Sequence, residues 1–321
     1  MTEHTEKSQD RYGVLVGYDG SKSADCALAW AAREAQRTGL DLTIVTAYTS
    51  PAYTLMGLEA AVVPVEDDAL QLGAVDIAQD GRKKAAEHGV DAHAFTAHGD
   101  AAGVLRDLSE RAEMLVLGAR GRGGFMGLLV GSTASAVPAH AKCPSVIVPT
   151  VCGEGLEAKP GREDVVVVGV DGSERGRLAA LLAAERALGL GYPLRLVCAL
   201  PHLTTSVAWV PPAESVESMR SEVTVHLRAA RDWLLSHFPD LEIQTEILEG
   251  VPAKVLTEMS SHVALTVVGA RGGGGFVGML LGSTSQSVLS QARGPIMVVP
   301  ERGEDPRLAN RPDFGPTPRG F

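Results

Sequence analysis

The sequence predicts an α/β fold: two tandem, open, doubly wound five-stranded parallel-sheet domains of Rossmann-like type. Three observations predict it. First, the chain is one unit written twice. Val14-Leu15-Val16-Gly17-Tyr18-Asp19-Gly20-Ser21 recurs as Val166-Val167-Val168-Gly169-Val170-Asp171-Gly172-Ser173, at an offset of 152. Leu115 to Val137 recurs as Thr266 to Val288 at an offset of 151, with 14 of 23 positions identical. Pro144 to Pro149 recurs as Pro295 to Pro300 at the same offset of 151. A period of this length is domain-sized rather than solenoid-sized. Second, short continuous apolar runs alternate with helical stretches, the pattern of a parallel sheet covered on both faces. Third, 321 residues that are 45% hydrophobic and 21% charged can bury a core in each half.

The elements follow in order. Val14 to Tyr18 is apolar and short, hence a buried strand. Ala24 to Arg37 is Ala-rich without Gly or Pro, hence a helix, with Ser21 or Ser23 as candidate caps. Leu42 to Tyr48 reads as a strand, and Asp67 to His88 as a long helix loosely broken near Gly73. Asp91 to Ala97 is a strand, Ala101 to Arg111 a helix, and Met114 to Gly118 a strand. Ser132 to Ala141 is a helix and Ser145 to Pro149 the last strand. The second copy repeats the strands near Val165 to Val170, Leu194 to Leu200, Glu242 to Leu248, Leu265 to Gly269 and Ile296 to Pro300. Five strands per copy favour two open sheets over a closed barrel. One ten-stranded sheet is the less favoured arrangement. Domains are expected at 11–150 and 163–300, joined by a Gly- and charge-rich linker at 151–162. Residues 1–10 and the Pro-rich tail 301–321 are expected to be disordered.

Aromatic residues make up only 4%, so the cores must be built from Ala, Val and Leu. The 29 Lys and Arg against 39 Asp and Glu give a net charge of −10. An acidic surface repels nucleic acid and anionic membranes at long range, so neither is expected as a partner. No apolar run approaches the roughly 18 residues of a membrane helix. Met1 to Arg11 is polar and lacks the apolar core of a signal peptide, which points to the cytoplasm. Cys26, Cys143, Cys152 and Cys198 form no Cys-x-x-Cys pair and read as reduced thiols.

In open α/β sheets ligands bind at the carboxyl ends of strands where the strand order reverses. Two loops at such ends stand out in each copy. One follows the first strand, Asp19-Gly20-Ser21 and Asp171-Gly172-Ser173. The other follows the fourth strand and is glycine-rich, from Gly118 to Thr133 and from Gly269 to Thr284. Glycines let backbone N–H groups approach an anion. The loops then feed helices at Gly131-Ser132 and Gly282-Ser283, whose first N–H groups and dipole favour phosphate. Ser132 and Thr133 can donate hydroxyls, and Arg120 and Arg122 can supply countercharge. A long surface loop with glycines for turns is the competing interpretation. No P-loop motif is present, and Gly273-x-Gly275-x-x-Gly278 follows the wrong strand for a dinucleotide fingerprint.

The spacing Gly-x2-Gly-x9-Gly-Ser occurs at Gly118, Gly121, Gly131-Ser132 and again at Gly269, Gly272, Gly282-Ser283. With the Val-Gly-x-Asp-Gly-Ser opening, the chain resembles the ATP-binding class of universal stress proteins in their tandem two-domain form, over roughly Tyr12 to Pro300. The resemblance implies strand order 3-2-1-4-5 and ATP as cofactor, with Mg²⁺ arriving on it. It implies that Asp19 and Asp171 hold the ribose or adenine side, though an Asp before a helix is also a common turn or cap residue. Backbone at Val45 to Ala47 and Val197 to Ala199 would flank adenine. Gly118, Gly121, Gly131, Ser132 and Thr133 would hold phosphate, as would Gly269, Gly272, Gly282, Ser283 and Thr284. Arg120 and Arg271 fall inside the motif. Gly17, Leu117, Arg122 and Gly123 complete the first candidate set, and Gly169, Val268, Gly273 and Gly274 the second. The copies depart from symmetry where Arg122 faces Gly273, so equal affinity does not follow from the repeat, and a more salt-sensitive first site is expected if Arg122 contributes charge.

No histidine pattern repeats in both copies, so no side-chain metal site is expected. His98 before Gly99, with Glu249 as its counterpart, reads as a polar loop residue. No Gly-x-Ser-x-Gly occurs, so a hydrolase triad has no support. Pro51 to Val65 and Pro201 to Pro212 read as ligand covers, partner surfaces or surface loops. The reading the resemblance implies is a nucleotide-binding stress-response or growth regulator, with binding as its output. The alternatives are a slow ATPase or phosphoryl-transfer enzyme and a dimerisation module with empty loops. The edge strands Ser145 to Pro149 and Pro295 to Pro300 are expected to pair, between the copies or across a homodimer.

Overall fold

The computed structural model describes residues 11–49, 67–122, 130–150, 162–200, 213–272, 281–301 and 306–308. The expectations for residues 1–10, for 151–161 of the linker and for the segments after the second strand lie outside these residues. So does Cys152, while Cys26, Cys143 and Cys198 form no disulfide among the described residues.

The first copy runs β1 (Val14–Gly17), α1 (Lys22–Thr38), β2 (Leu42–Tyr48), α2 (Asp67–Glu87), β3 (Ala92–His98), α3 (Ala101–Leu108), β4 (Met114–Gly118), α4 (Ser132–His140) and β5 (Ser145–Val148). The second runs β6 (Glu163–Gly169), α5 (Glu174–Leu190), β7 (Leu194–Leu200), α6 (Ala213–His237), β8 (Ile243–Glu249), α7 (Pro252–Ser260), β9 (Val263–Gly269), α8 (Ser283–Gln291) and β10 (Ile296–Val299). Of the two candidate caps, Ser21 is the one used: its Oγ accepts from the Ala24 N–H at 3.1 Å. Helix α2 runs unbroken through Gly73. The roughly 1 kcal/mol that a helical glycine costs is offset by the buried face of Ala74, Ala78 and Ala85. The helix expected to reach Arg111 ends at Leu108 and tightens into a 3₁₀ turn at Ser109–Arg111.

Within each copy all strands are parallel, in the order 3-2-1-4-5. The two units do not stay separate. β5 and β10 pair antiparallel, Ile296 opposite Ile147, Met297 opposite Val146 and Val298 opposite Ser145. The result is one continuous ten-stranded sheet, β3-β2-β1-β4-β5-β10-β9-β6-β7-β8. The less favoured sheet arrangement and the five-strand repeat are therefore both present, and the edge strands pair between copies.

Each face carries one core. Val14, Val16, Ile44, Val166 and Val168 pack under α1, α2, α5 and α6, while Leu15, Leu115, Ile147, Val167 and Val298 pack under α3, α4, α7 and α8. Successive strand residues alternate between the two cores, as the pleat requires. On the first face α1 meets α5 across the seam. The offset of 152 aligns Glu34 with Arg186 and Arg37 with Gly189. Glu34 is only 4% exposed and pairs with Arg186 and with Arg37. A Cβ on Gly189 would fall in the space of the Arg37 guanidinium. The equivalent positions have thus diverged into a cross-copy ion pair. The tail also departs from expectation: Pro306–Leu308 forms a 3₁₀ turn. Leu308 is buried in the first core, and Arg307 pairs with Glu185. An apolar anchor with an ion pair beside it offsets the entropy of ordering this short stretch.

Because Glu34 keeps one arginine when the other is lost, the two truncations should not add. We expect Arg186→Ala or Arg37→Ala alone to cost about 1 kcal/mol. The double variant leaves a buried unpaired carboxylate and should lose roughly 3–5 kcal/mol in urea unfolding.

Candidate functional site

Adjacent strands β1 and β4 send their chains to opposite sides, so a crevice opens at their carboxyl ends. In the first copy a cavity of about 600 Å³ fills it. Gly17, Asp19, Val45, Ala47, Leu117, Gly118, Arg120, Gly121, Arg122, Gly131, Ser132 and Thr133 line it. The structure thus brings together every candidate named for this copy except Gly123, which lies outside the described residues. Such a volume is within the ordinary range for small-molecule sites.

The two loops that bound the cavity are tied to each other. The Ser21 N–H donates to Asp19 Oδ1 at 3.0 Å, and the Arg122 N–H donates to Asp19 Oδ2 at 2.9 Å. Asp19 is therefore a turn residue that also anchors the loop after β4. The Ser21 hydroxyl donates to the Arg120 carbonyl at 3.2 Å, and the Arg120 N–H donates to Ser23 Oγ at 3.1 Å. Two motif glycines serve this contact. A Cβ on Gly118 would lie 2.5 Å from the Ser23 carbonyl carbon, and one on Gly121 would lie 2.7 Å from Asp19 Oδ2. Gly20 has φ +74°, and the Arg122 guanidinium occupies the space above it.

Gly131 is different. It is the N-cap of α4, with φ −77° and ψ 166°, and no side chain caps the helix. Its own N–H is used by the Ala119 carbonyl at 2.8 Å, and the first helical bond runs from Ser135 back to Gly131. The N–H groups of Ser132, Thr133 and Ala134 are the uncapped donors of the first turn, and these residues line the cavity. The site therefore presents a positive helix end with Arg120 and Arg122 nearby.

The second copy repeats the frame. Ser173 donates to Asp171 Oδ1 from its N–H at 3.0 Å and its hydroxyl at 2.5 Å, while capping α5. A Cβ on Gly272 would strike Asp171 Oδ2, and one on Gly169 would lie 2.6 Å from Leu256. Gly282 is the uncapped N-cap of α8 at φ −70°, ψ 154°, and its N–H bonds the Ala270 carbonyl at 2.8 Å. Ser283 and Thr284 begin α8, Val268 and Gly269 end β9, Arg271 follows, and Val197 and Ala199 lie on β7. Gly273 and Gly274 lie outside the described residues. Cys198 stands where the first copy has Thr46, whose hydroxyl donates to the Tyr18 carbonyl at 2.8 Å. Burial and then the negative charge of Asp171 push the Cys198 thiol up to about 11.

Sequence reasoning missed Tyr18, Ile77, Ala101 and Leu105, which also line the first cavity. Tyr18 adjoins the quoted Asp-Gly-Ser, but its environment comes from a distant helix. Its ring packs against Gly81, and its hydroxyl lies 2.7 Å from Asp25 and 3.2 Å from Asp80. Lys84 reaches the Tyr18 hydroxyl at 3.1 Å, Asp25 at 2.9 Å and Asp80 at 3.0 Å. Burial and the Asp25 contact raise the Tyr18 pKa. Burial alone would lower that of Lys84, but its bonds to Asp25, Tyr18 and Asp80 hold it above its ordinary value. The second copy has Val170 and Arg177 in place of Tyr18 and Asp25. His98 sits outside the cavity lining and packs edge-on against Tyr48. Among the described residues, no group of three or more His, Cys, Asp or Glu could hold a metal ion, and no helix is long and apolar enough to cross a membrane.

Two outcomes follow from these contacts. Gly118→Ala should displace the start of α1 and cost roughly 1–3 kcal/mol in thermal unfolding, by overpacking against backbone. Cys198 should alkylate slowly with iodoacetamide at neutral pH, its rate rising toward about pH 11. Asp171→Asn should move that rise to lower pH, because it removes a negative charge that disfavours the thiolate.

The family model described as "Universal stress protein family" matches this chain twice, at residues 13–149 and 164–300. A universal stress protein of Mycolicibacterium smegmatis is 32% identical over 310 residues, spanning 92% of this chain and 99% of its own. One from Mycobacterium tuberculosis is 32% identical over 298 residues, spanning 90% and 96%. The crystal structure of a universal stress protein from Archaeoglobus fulgidus shares the fold with a TM-score of 0.62 at 20% identity, over 92% of this chain and all of that one. Repeat, strand order and family match agree, and the chain belongs to the universal stress protein family.

Proposed function

We propose that each copy binds an adenine nucleotide, ATP foremost, and that occupancy rather than turnover is the output, as in a nucleotide-dependent stress or growth regulator. The observation that carries this reading is the uncapped N-terminus of α4 at one end of the 600 Å³ crevice cavity. In this reading the β- and γ-phosphates lie on the N–H groups of Ser132 and Thr133, with Arg120 and Arg122 as countercharge. Adenine lies along Val45 to Ala47. Asp19 already accepts two N–H bonds but keeps lone pairs for a ribose hydroxyl. Mg²⁺ would ride on the phosphates and neutralise part of their charge. Asp19 is the one carboxylate among the described lining residues, and its engagement by two N–H groups favours binding over general-base chemistry. A homodimer would need another surface, because both last strands are used within the chain.

The test uses the N-cap positions. Gly131 has its nearest neighbour to a built Cβ at 3.6 Å and Gly282 at 3.4 Å, so a side chain fits both. Asp there would cap its own helix and set a negative charge where phosphate would sit. By calorimetry with Mg-ATP, the wild type should show two sites. Gly131→Asp or Gly282→Asp should each remove one, and the double variant both. Thermal stability should hold or rise. ATP binding that survives the double change, or no binding by the wild type, would sink the proposal. The first site should weaken faster with salt than the second, because Arg122 has no charged counterpart at 273.

A further inference from the structure

A second cavity, about 610 Å³, lies on the α3/α4/α7/α8 face of the seam, where the carboxyl end of β5 meets the start of β10. It is not part of the nucleotide crevice, although Ala119, Arg120 and Val130 form a wall common to both. Its floor is apolar. Ile147 and Ile296 are the directly opposed pair of the antiparallel seam, and Leu289 of α8 closes over them. Arg120 and Arg293 supply cationic groups to its lining, together with His262. Among the described residues the Arg293 side chain makes no hydrogen bond or ion pair; only its backbone N–H is engaged, by Ser260 Oγ at 3.1 Å. Glu258 is the one acid among the described lining residues, and it leans toward Lys254 on its own helix at 3.9 Å.

Two further hydroxyls mark the seam as unusual. Ser145 Oγ and Thr266 Oγ1 are buried and have no hydrogen-bond partner among the described residues. Strand alternation puts them on the same face as the floor: Ser145 lies two residues before Ile147, and Thr266 is the register partner of Ile296. A buried hydroxyl without a partner is destabilising. Neither lines the cavity, but both lie beside its floor on the same face of the seam.

We propose that the seam cavity is a second small-molecule site, which takes a single-chain anionic amphiphile: an apolar body on Ile147, Ile296 and Leu289, and a carboxylate at Arg293. Both copies build it, so an isolated copy would have half a floor. A guanidinium that meets a carboxylate forms a paired, charge-assisted contact, whereas a cationic head would face two arginines.

Full-length protein should be titrated by calorimetry with decanoate and, separately, with decyltrimethylammonium. Decanoate should bind saturably at one site per chain, and the ammonium compound should not. Arg293→Glu lies outside the nucleotide crevice. It should weaken decanoate by roughly tenfold or more while Mg-ATP binding stays at the wild-type level. Thr150→Trp fills the mouth of the cavity and should block decanoate, again sparing Mg-ATP. Circular-dichroism melts check that both variants fold. Equal affinity for the two amphiphiles, uptake without saturation, or wild-type decanoate affinity in Arg293→Glu would overturn the site. Phosphatidylglycerol vesicles should leave the protein in the supernatant, and co-sedimentation would instead assign the cationic groups to a membrane surface. Because decanoate and Mg-ATP are read separately, failure here and failure of the nucleotide reading are distinguishable.

Discussion

The antiparallel pairing of β5 with β10 is the constraint from which the rest of the architecture follows. A five-stranded unit of this order leaves its last strand with one bare row of N–H and C=O groups. Two units in one chain remove two such edges by joining them. The offset of 151 makes Val146 and Met297 equivalent, and they face each other in the register. The approximate two-fold axis therefore passes between them. It brings α1 onto α5 on one face and α4 onto α8 on the other. Where the axis crosses, a duplicated sequence meets itself, and identical charges would face each other. Glu34 and Arg186 occupy equivalent places and have opposite signs. Divergence at that position turns a repulsion into a buried pair.

Much of this was legible in the sequence, for identifiable reasons. The repeat exposed the two units, and the short apolar runs exposed the buried strands. The choice of one sheet over two was not legible, because nothing in Ser145 to Pro149 distinguishes an edge paired within the chain from one paired across a dimer. Gly73 misled because helix propensity is a local quantity, whereas the alanine face of α2 is satisfied by tertiary packing. The site was legible as a set of positions but less so as a set of roles. Gly118 and Gly121 looked like parts of an anion cradle. Their observed work is to let Ser23 and Asp19 approach. That contact joins residues about a hundred positions apart, and no spacing rule encodes it.

The copies also differ in ways that alignment registers but does not interpret. Tyr18, Asp25, Asp80 and Lys84 form a hydrogen-bonded cluster behind the first crevice and fix α2 against α1. In the second copy, Val170 and Arg177 cannot form it. Thr46 bonds backbone in the first copy, and its counterpart Cys198 is a half-buried thiol held protonated by burial and by the negative charge of Asp171. The first crevice therefore has a hydrogen-bonded polar backing that the second lacks, while the second places Arg177 beside its Asp171-Gly172-Ser173 loop. Two sites that share a motif need not share affinity when the residues behind the motif differ.

The capping pattern gives the last step. Helices α1, α3 and α5 begin at Ser21, Asp100 and Ser173, and in each the side chain accepts a first-turn N–H. Helices α4 and α8 begin at glycines with no side-chain cap, although a Cβ would fit at both. A Ser or Asp there would stabilise the helix by only a few tenths of a kcal/mol, because glycine is itself an accepted N-cap. Helix α7 also starts uncapped, at Val251, but among the described helix starts α4 and α8 are the two that begin at an uncapped glycine, and both lie at the carboxyl end of the fourth strand of their copy. Backbone freedom does not account for the glycines, since both φ values are negative and ordinary for any residue. What glycine does provide is an unobstructed set of helix-end N–H groups. That is a disadvantage for an empty structural loop and a requirement for one that receives an anion, and it is why the nucleotide reading rests on Gly131 and Gly282 more than on the other glycines of the motif.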